Sequence, residues 1–263
     1  HHQHPEHGAE QHPPQRRRAD GAVADGTNHS YGAAFVLLCY AEALKSGVSE
    51  ALLGVESAYN LLDKHFWREA DGLFVDEYDA NFATLSPYRG QNANMHSCEA
   101  LICAYQATGD AKFLRRAQQV AESVTGRLAS QAGAGNTGLV WEHYNPQWQI
   151  DLAYNLDNPK HLFRPWGYQP GHQTEWAKLL LTLHQLEPNP AYVPRAKLLF
   201  DIAVALTAGW CMALRPMAQC AMAINIFGCR RKVLRLQPCW LKQQLNLCIG
   251  TGWKKFGPIV GHI

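Results

Sequence analysis

The last 62 residues of this 263-residue chain contain no aspartate and no glutamate, and all 22 acidic residues lie at or before Asp201. Residues 1–201 hold 16 Lys/Arg against those 22 acids, a balance of about −6, while the remainder carries eight Lys/Arg and no acid behind a net charge of +2. Five of the eight Cys and three of the four Met also lie beyond residue 210, so two compositions meet near Trp210. Other absences narrow the function. No window reaches the roughly 18 consecutive apolar residues that a membrane span needs. The opening HHQHPEHGAEQHPPQRRRADG has no apolar stretch, so no signal peptide is expected there; residues 1–26 are expected to be irregular and the protein cytoplasmic. No GxxxxGK loop cradles a phosphate, no HExxH binds zinc, and Cys98 and Cys103 form no CxxC pair. No metal is therefore expected.

What is present is helical hairpins. Hydrophobic residues make up 47% of the chain, enough for one large core or two small ones. YGAAFVLLCYAEALKSG, residues 31–47, reads as an Ala- and Leu-rich helix closed by Gly47, and Ser49 is placed to cap the next. After a loop with short β-like pieces, a second pair spans 92–109 and 111–130, turning at Gly109–Asp110. A loop rich in aromatic and polar residues, 141–167, leads to a third pair over 172–187 and 189–210. The first helices begin at uneven intervals, which excludes a fixed-repeat solenoid. The class is all-α; hairpins with elaborate loops on one side fit either an α/α toroid or an irregular bundle.

Three acid–histidine pairings stand in those loops and helix starts. Asn92, His96 and Glu99 follow one another at spacings of four and three, on one helical face. His172 and Glu175 lie three apart on the first turn after Pro170–Gly171, where a carboxylate can hold an imidazole's tautomer and raise its basicity. Glu142 and His143 adjoin Trp141, Tyr144 and Trp148. Aromatics beside carboxylates and amides suit sugars, which offer apolar C–H faces and a rim of hydroxyls. Blander roles exist for each: a satisfied core histidine at 96, a helix cap at Asn92, a favourable first-turn charge at Glu175 and ordinary packing for Trp176.

Four segments, TNHSYGAAFVLL, RGQNANMHSCEAL, WEHYNPQW and RPWGYQPGHQTEWAKLL, resemble the N-acylglucosamine 2-epimerase family in its own order, over roughly residues 25–210. The resemblance implies an (α/α)6 toroid, with a partial catalytic domain at 27–210. It implies that His172 is the catalytic histidine, Glu175 its supporting carboxylate, and Asn92 and His96 a cavity-lining pair, with His96 expected among the catalytic residues. Tyr31 matches the family's YG tyrosine, and Arg89 and Glu142 lie in motif segments; with Trp176 these are the expected sugar-binding residues. The implied chemistry removes the proton beside an open-chain sugar carbonyl and passes through an enediolate, without metal or nicotinamide. The implied partner is a small sugar.

Two departures set further expectations. Few residues precede the YG motif, so helices that the family has there are expected to be missing. The family's second catalytic histidine and its YFW-x-QAE segment do not appear after residue 210. Back-translating Met212–Ala218 one base earlier permits YGFAPDG, and Ile224–Gly228 permits DKYFW. Residues 211–263 are therefore expected to be an aberrant basic tail read after a frameshift, and the open toroid to be poorly soluble and weakly active. A true basic arm for nucleic acid or membrane is the rival, but the tail has no helical stripe of Lys/Arg. A non-catalytic carbohydrate-binding protein and a toroid glycoside hydrolase using Glu142 and Glu175 are the alternative functions.

Overall fold

A stripe of small and branched residues decides the first helix. In α1 (Ser30–Lys45), Ala33, Ala34, Leu37 and Ala41 are buried at helical spacing. The structure, a computed structural model, describes residues 16–17, 23–131 and 138–207. The expected tail 211–263, its frameshift, and most of the 1–26 segment lie outside the described residues.

α1 packs on α2 (Ala51–Leu61), which widens into a π-helical turn over Leu62–Phe66. The residue before α2 is Glu50, and Ser49 does not cap the helix as expected; its hydroxyl donates to the Glu50 carboxylate at 3.2 Å. α3 (Gln91–Thr108) stops at Gly109, whose left-handed backbone, φ 74°, closes the helix at little cost without a Cβ. α4 (Ala111–Glu122) starts from Asp110, which accepts the Lys112 N–H at 2.9 Å. α5 (Pro170–Leu186) begins two residues before the expected His172, with Pro170 at a position where no helical N–H is lost. α6 (Tyr192–Thr207) returns along it.

The three hairpins share one layout. α1, α3 and α5 neighbour one another in that order, and α2, α4 and α6 are their hairpin partners. α3, with neighbours on both flanks, buries residues around most of its circumference, including Met95, Cys98, Leu101 and Cys103. α4 instead buries a single stripe, Phe113, Leu114, Ala117, Val120 and Ala121.

Besides the helices, two- and three-residue strands stand in the loops, those over residues 71–90 where short β-like pieces are expected. β1 (Arg16–Arg17) pairs with β2 (Val23–Asp25), β3 (Asn28–His29) with β6 (Glu77–Tyr78), β4 (Trp67–Arg68) with β5 (Leu73–Phe74), and β7 (Arg89–Gly90) with β8 (His143–Tyr144), all antiparallel. These ladders are too short to stand alone, and buried amides fix them to the helices. Asn94 of α3 accepts the Phe74 N–H at 2.8 Å and donates to the Phe74 carbonyl at 2.9 Å. Gln173 of α5 does the same for Val140, at 3.0 and 2.8 Å.

Asn94 is fully buried, so Asn94→Ala strands the Phe74 N–H and C=O away from water. We expect this change to cost about 1–3 kcal/mol for each stranded group, read as a lower urea midpoint at unchanged m-value.

Candidate active site

The β7–β8 ladder brings residues 89–91 beside residues 142–144. Its register, Arg89 with Tyr144 and Gly90 with His143, is extended by a hydrogen bond from the Gln91 N–H to the Glu142 carbonyl at 3.2 Å. Alternation along β8 then sends neighbouring side chains to different partners. Glu142 turns to α5 and α3, whereas His143 turns to Tyr88. The expected Glu142–His143 pair is therefore not a pair.

His172 Nδ1 lies 2.9 Å from both carboxylate oxygens of Glu142. Gln91 Nε2 lies 3.1 and 3.0 Å from the same oxygens and 2.9 Å from His172 Nδ1. The amide orientation follows from Trp176, whose indole N–H donates to Gln91 Oε1 at 2.6 Å. Gln91 thus presents its NH2 to Glu142, and a lone pair on His172 Nδ1 would face the carboxylate's negative charge. The arrangement that satisfies every group puts a proton on Nδ1, so that imidazole and amide share one acceptor. Glu142 is 3% exposed, and these are the hydrogen bonds that offset its desolvation.

This assigns the expected residues differently. The carboxylate on His172 Nδ1 comes from Glu142, 30 positions away in sequence, and not from Glu175 one turn on. Trp176 has no exposed surface and holds Gln91 in place, so it is not a sugar platform. Arg89 is buried and donates to the carbonyls of Ser86 and Tyr88 at 2.6 and 2.7 Å; it is spent on its own chain and does not line the cavity below. Gln91 went unnoticed in the sequence, although it lies between Arg89 and Asn92. No periodicity singles out an amide whose partners are 51 and 85 positions distant.

His96 does pair with Glu99, at 3.3 Å. That hydrogen bond, with Lys178 at 2.8 Å, holds the Glu99 carboxyl down to about 2. The His96 ring packs against Tyr31 and Phe35, with centroids 5.3 and 4.8 Å away. Tyr31 and Asn92 line a cavity of about 740 Å3, together with Asp76, Tyr88, Tyr154 and Arg164. His96 and His172 are not among its lining residues; the His172 side chain is 16% exposed. Asn92 Oδ1 is buried with no hydrogen-bond partner among the described residues. Among the described residues no three His, Cys, Asp or Glu are grouped to hold a metal ion, and no helix is long and apolar enough to cross a membrane.

The sequence model of the N-acylglucosamine 2-epimerase family matches residues 3–224, past the composition change near 210. The chain belongs to this family. It is 54% identical over 183 residues to a D-mannose isomerase of Marinomonas mediterranea, covering 70% of this chain and 46% of that protein. A D-mannose isomerase of Thermobifida fusca is 36% identical over 190 residues, 72% of this chain and 46% of that protein. A crystal structure of D-mannose isomerase matches with a TM-score of 0.66 at 50% identity, covering 71% of this chain and 49% of that one. The cellobiose 2-epimerase of Spirochaeta thermophila matches at TM-score 0.60 and 15% identity over 73% of this chain and 48% of that one, a likeness of fold. The fold is that of the (α/α)6 toroid proteins, and the chain spans about half the length of the curated relatives it matches.

At the cavity wall, Asp76 joins two inner helices. Its carbonyl accepts the Ser30 N–H at 2.9 Å, and its carboxyl accepts the Gly90 N–H at 2.8 Å. Burial pushes this carboxyl up to about 7, against smaller opposing effects of the Gly90 N–H, Arg164 and Arg89. A raised folded-state pKa means that the folded protein binds the proton more tightly. The stabilisation is full below the ordinary carboxylate range and is lost as pH rises through about 7. Urea midpoints of the wild type relative to Asp76→Asn should therefore fall from pH 4 to 7 and level off above it.

Proposed function

We propose that this chain carries the proton-abstracting half of a sugar isomerase site, acting on D-mannose or a close aldose. The observation that carries the reading is the carboxylate of Glu142 on Nδ1 of His172. With the proton held on Nδ1, neutral His172 offers the lone pair of Nε2 as a base, and Glu142 stabilises the imidazolium that forms. The base takes the proton from C2 of the open-chain aldose. The electron pair left behind forms the C1–C2 double bond, and the carbonyl oxygen takes up the negative charge of an enediolate. Return of a proton to C1, with the C2 hydroxyl proton passing to O1, gives the ketose; return to the other face of C2 gives the epimer. The names of the relatives, D-mannose isomerases, favour the ketose. Asn92 of α3 and Tyr31 of α1 contribute polar groups to the cavity wall.

Hydrolysis of glycosides requires two carboxylates facing each other across a cleft. Glu142 is buried between His172 and Gln91, which disfavours that alternative. A binder without catalysis differs in one readout. Incubated in heavy water with D-mannose, the wild-type chain should exchange deuterium into C2, seen as loss of the H2 proton signal; binding without exchange would overturn the catalytic reading. His172→Gln should lower the exchange rate by about 10²–10⁴-fold, and Glu142→Gln by roughly 10²-fold or more.

Gln91 supplies a sharper test of the relay. Gln91→Glu sets a second carboxylate beside His172 and favours its charged form. The acidic limb of the exchange profile, where His172 gains its proton, should then move to higher pH by about one unit. An unmoved limb would show that the Gln91 amide has no electrostatic hold on the imidazole.

We also infer that residues 211–263 are read from a shifted frame, on the loss of acidic residues there. Sequencing the coding DNA around codon 210 tests it: an intact family-like frame one base away supports the shift, and synonymous-biased variation in the present frame removes it.

A further inference from the structure

Tyr88 lines the cavity and takes no part in the His172 relay. Its surroundings settle which way its hydroxyl proton points. His143 Nε2 lies 2.8 Å from the carbonyl oxygen of Pro165, and a carbonyl can only accept, so Nε2 carries the ring proton. Burial lowers the proton affinity of this imidazole and keeps it neutral, which leaves Nδ1 bare. Tyr88 Oη is 3.0 Å from that Nδ1 and must be the donor. Burial, with the nearby Asp76, also holds the phenol well above its ordinary pKa, so the proton stays on oxygen. The phenol oxygen therefore has only lone pairs left to offer.

Its position is fixed on several sides. The Arg164 guanidinium stacks 3.8 Å from the ring centroid, and the Tyr154 ring is 4.8 Å away. A Cβ at Gly90 would stand 2.5 Å from Oη, so the glycine is what lets the phenol oxygen sit against the start of α3. An acceptor on the cavity wall calls for an O–H donor in the ligand.

We propose that Tyr88 is a specificity-determining residue whose phenol oxygen accepts a hydrogen bond from one hydroxyl of the sugar. The inference rests on the sugar-site reading above and adds to it the direction of the bond: the sugar donates and the protein accepts. A methyl ether or deoxy group at that one position cannot donate, so it is rejected. A sugar whose other hydroxyls are altered is not affected through Tyr88.

The test is binding, independent of turnover. Dissociation constants are measured by NMR titration for D-mannose and its monodeoxy and mono-O-methyl analogues, with the wild type and Tyr88→Phe. Tyr88→Phe should weaken D-mannose by about 3–10-fold, as expected for one hydrogen bond. It should also erase the penalty at a single ring position and leave the other penalties intact. Penalties that persist unchanged at every position in Tyr88→Phe overturn the proposal while leaving the sugar site standing; no mannose binding by the wild type overturns both. Nitrogen-15 spectra of the wild-type His143 ring give a check that does not depend on the variant's folding. A neutral ring protonated on Nε2 is expected, and a ring protonated on Nδ1 overturns the assignment.

Discussion

A single buried carboxylate constrains this fold more than any helix does. Taking a carboxylate out of water costs several kcal/mol unless charge-assisted hydrogen bonds replace the lost solvation. Glu142 gets those bonds from groups it cannot reach locally: the imidazole of His172 on α5 and the amide of Gln91 on α3. Strand β8, the start of α3 and the start of α5 must therefore arrive together, and a displacement of any one leaves the charge uncompensated. The Trp176 indole closes the set by fixing which end of the Gln91 amide faces the carboxylate. The same contacts that satisfy the buried charge set the tautomer of His172. Here folding and the proposed chemistry draw on one set of hydrogen bonds.

That convergence is engineered with amides. Asn94, Gln173 and Gln131 each grip backbone groups of a loop through both ends of the side-chain amide. Asn94 holds Phe74, two residues before Asp76; Gln173 holds Val140, two before Glu142; Gln131 takes the Trp148 carbonyl and the Ile150 N–H, just beyond β8. A buried amide copies the pairing of a neighbouring strand, so a loop too short for a sheet acquires a ladder partner from a helix. The cavity wall and the relay are thus hung from α3 and α5 by Asn94 and Gln173, and from the chain beyond α4 by Gln131, all uncharged groups with no large desolvation penalty to recover.

Residues in regular periods were legible in the sequence, and residues in long-range pairs were not. The helix pairs, the turn at Gly109–Asp110 and the His96–Glu99 contact all follow from spacings of three and four, which a helix enforces locally. The same rule misled at His172, because spacing offers Glu175 as a partner and says nothing of a strand thirty residues earlier. Arg89 and Trp176, expected to bind sugar, direct their donors elsewhere, Arg89 to its own backbone and Trp176 to Gln91. RGQNANMH and WEHY, two of the family-like segments, are the ones that β7 and β8 join.

Two histidines within this small region illustrate what the second partner of an imidazole decides. His143 gives its proton to a carbonyl, is deeply buried, and is held neutral with its remaining nitrogen turned to Tyr88. His172 gives its proton to a carboxylate and keeps some exposure. A carbonyl offers an imidazolium only a dipole; a carboxylate offers a full opposite charge, so only the second ring can accept a proton without leaving an unbalanced charge inside the protein. His143 and Glu142 are adjacent in sequence, and the extended backbone that leads into β8 turns them to different partners. It places the carboxylate against the ring suited to be a base and leaves the neutral ring to fix the hydroxyl of Tyr88.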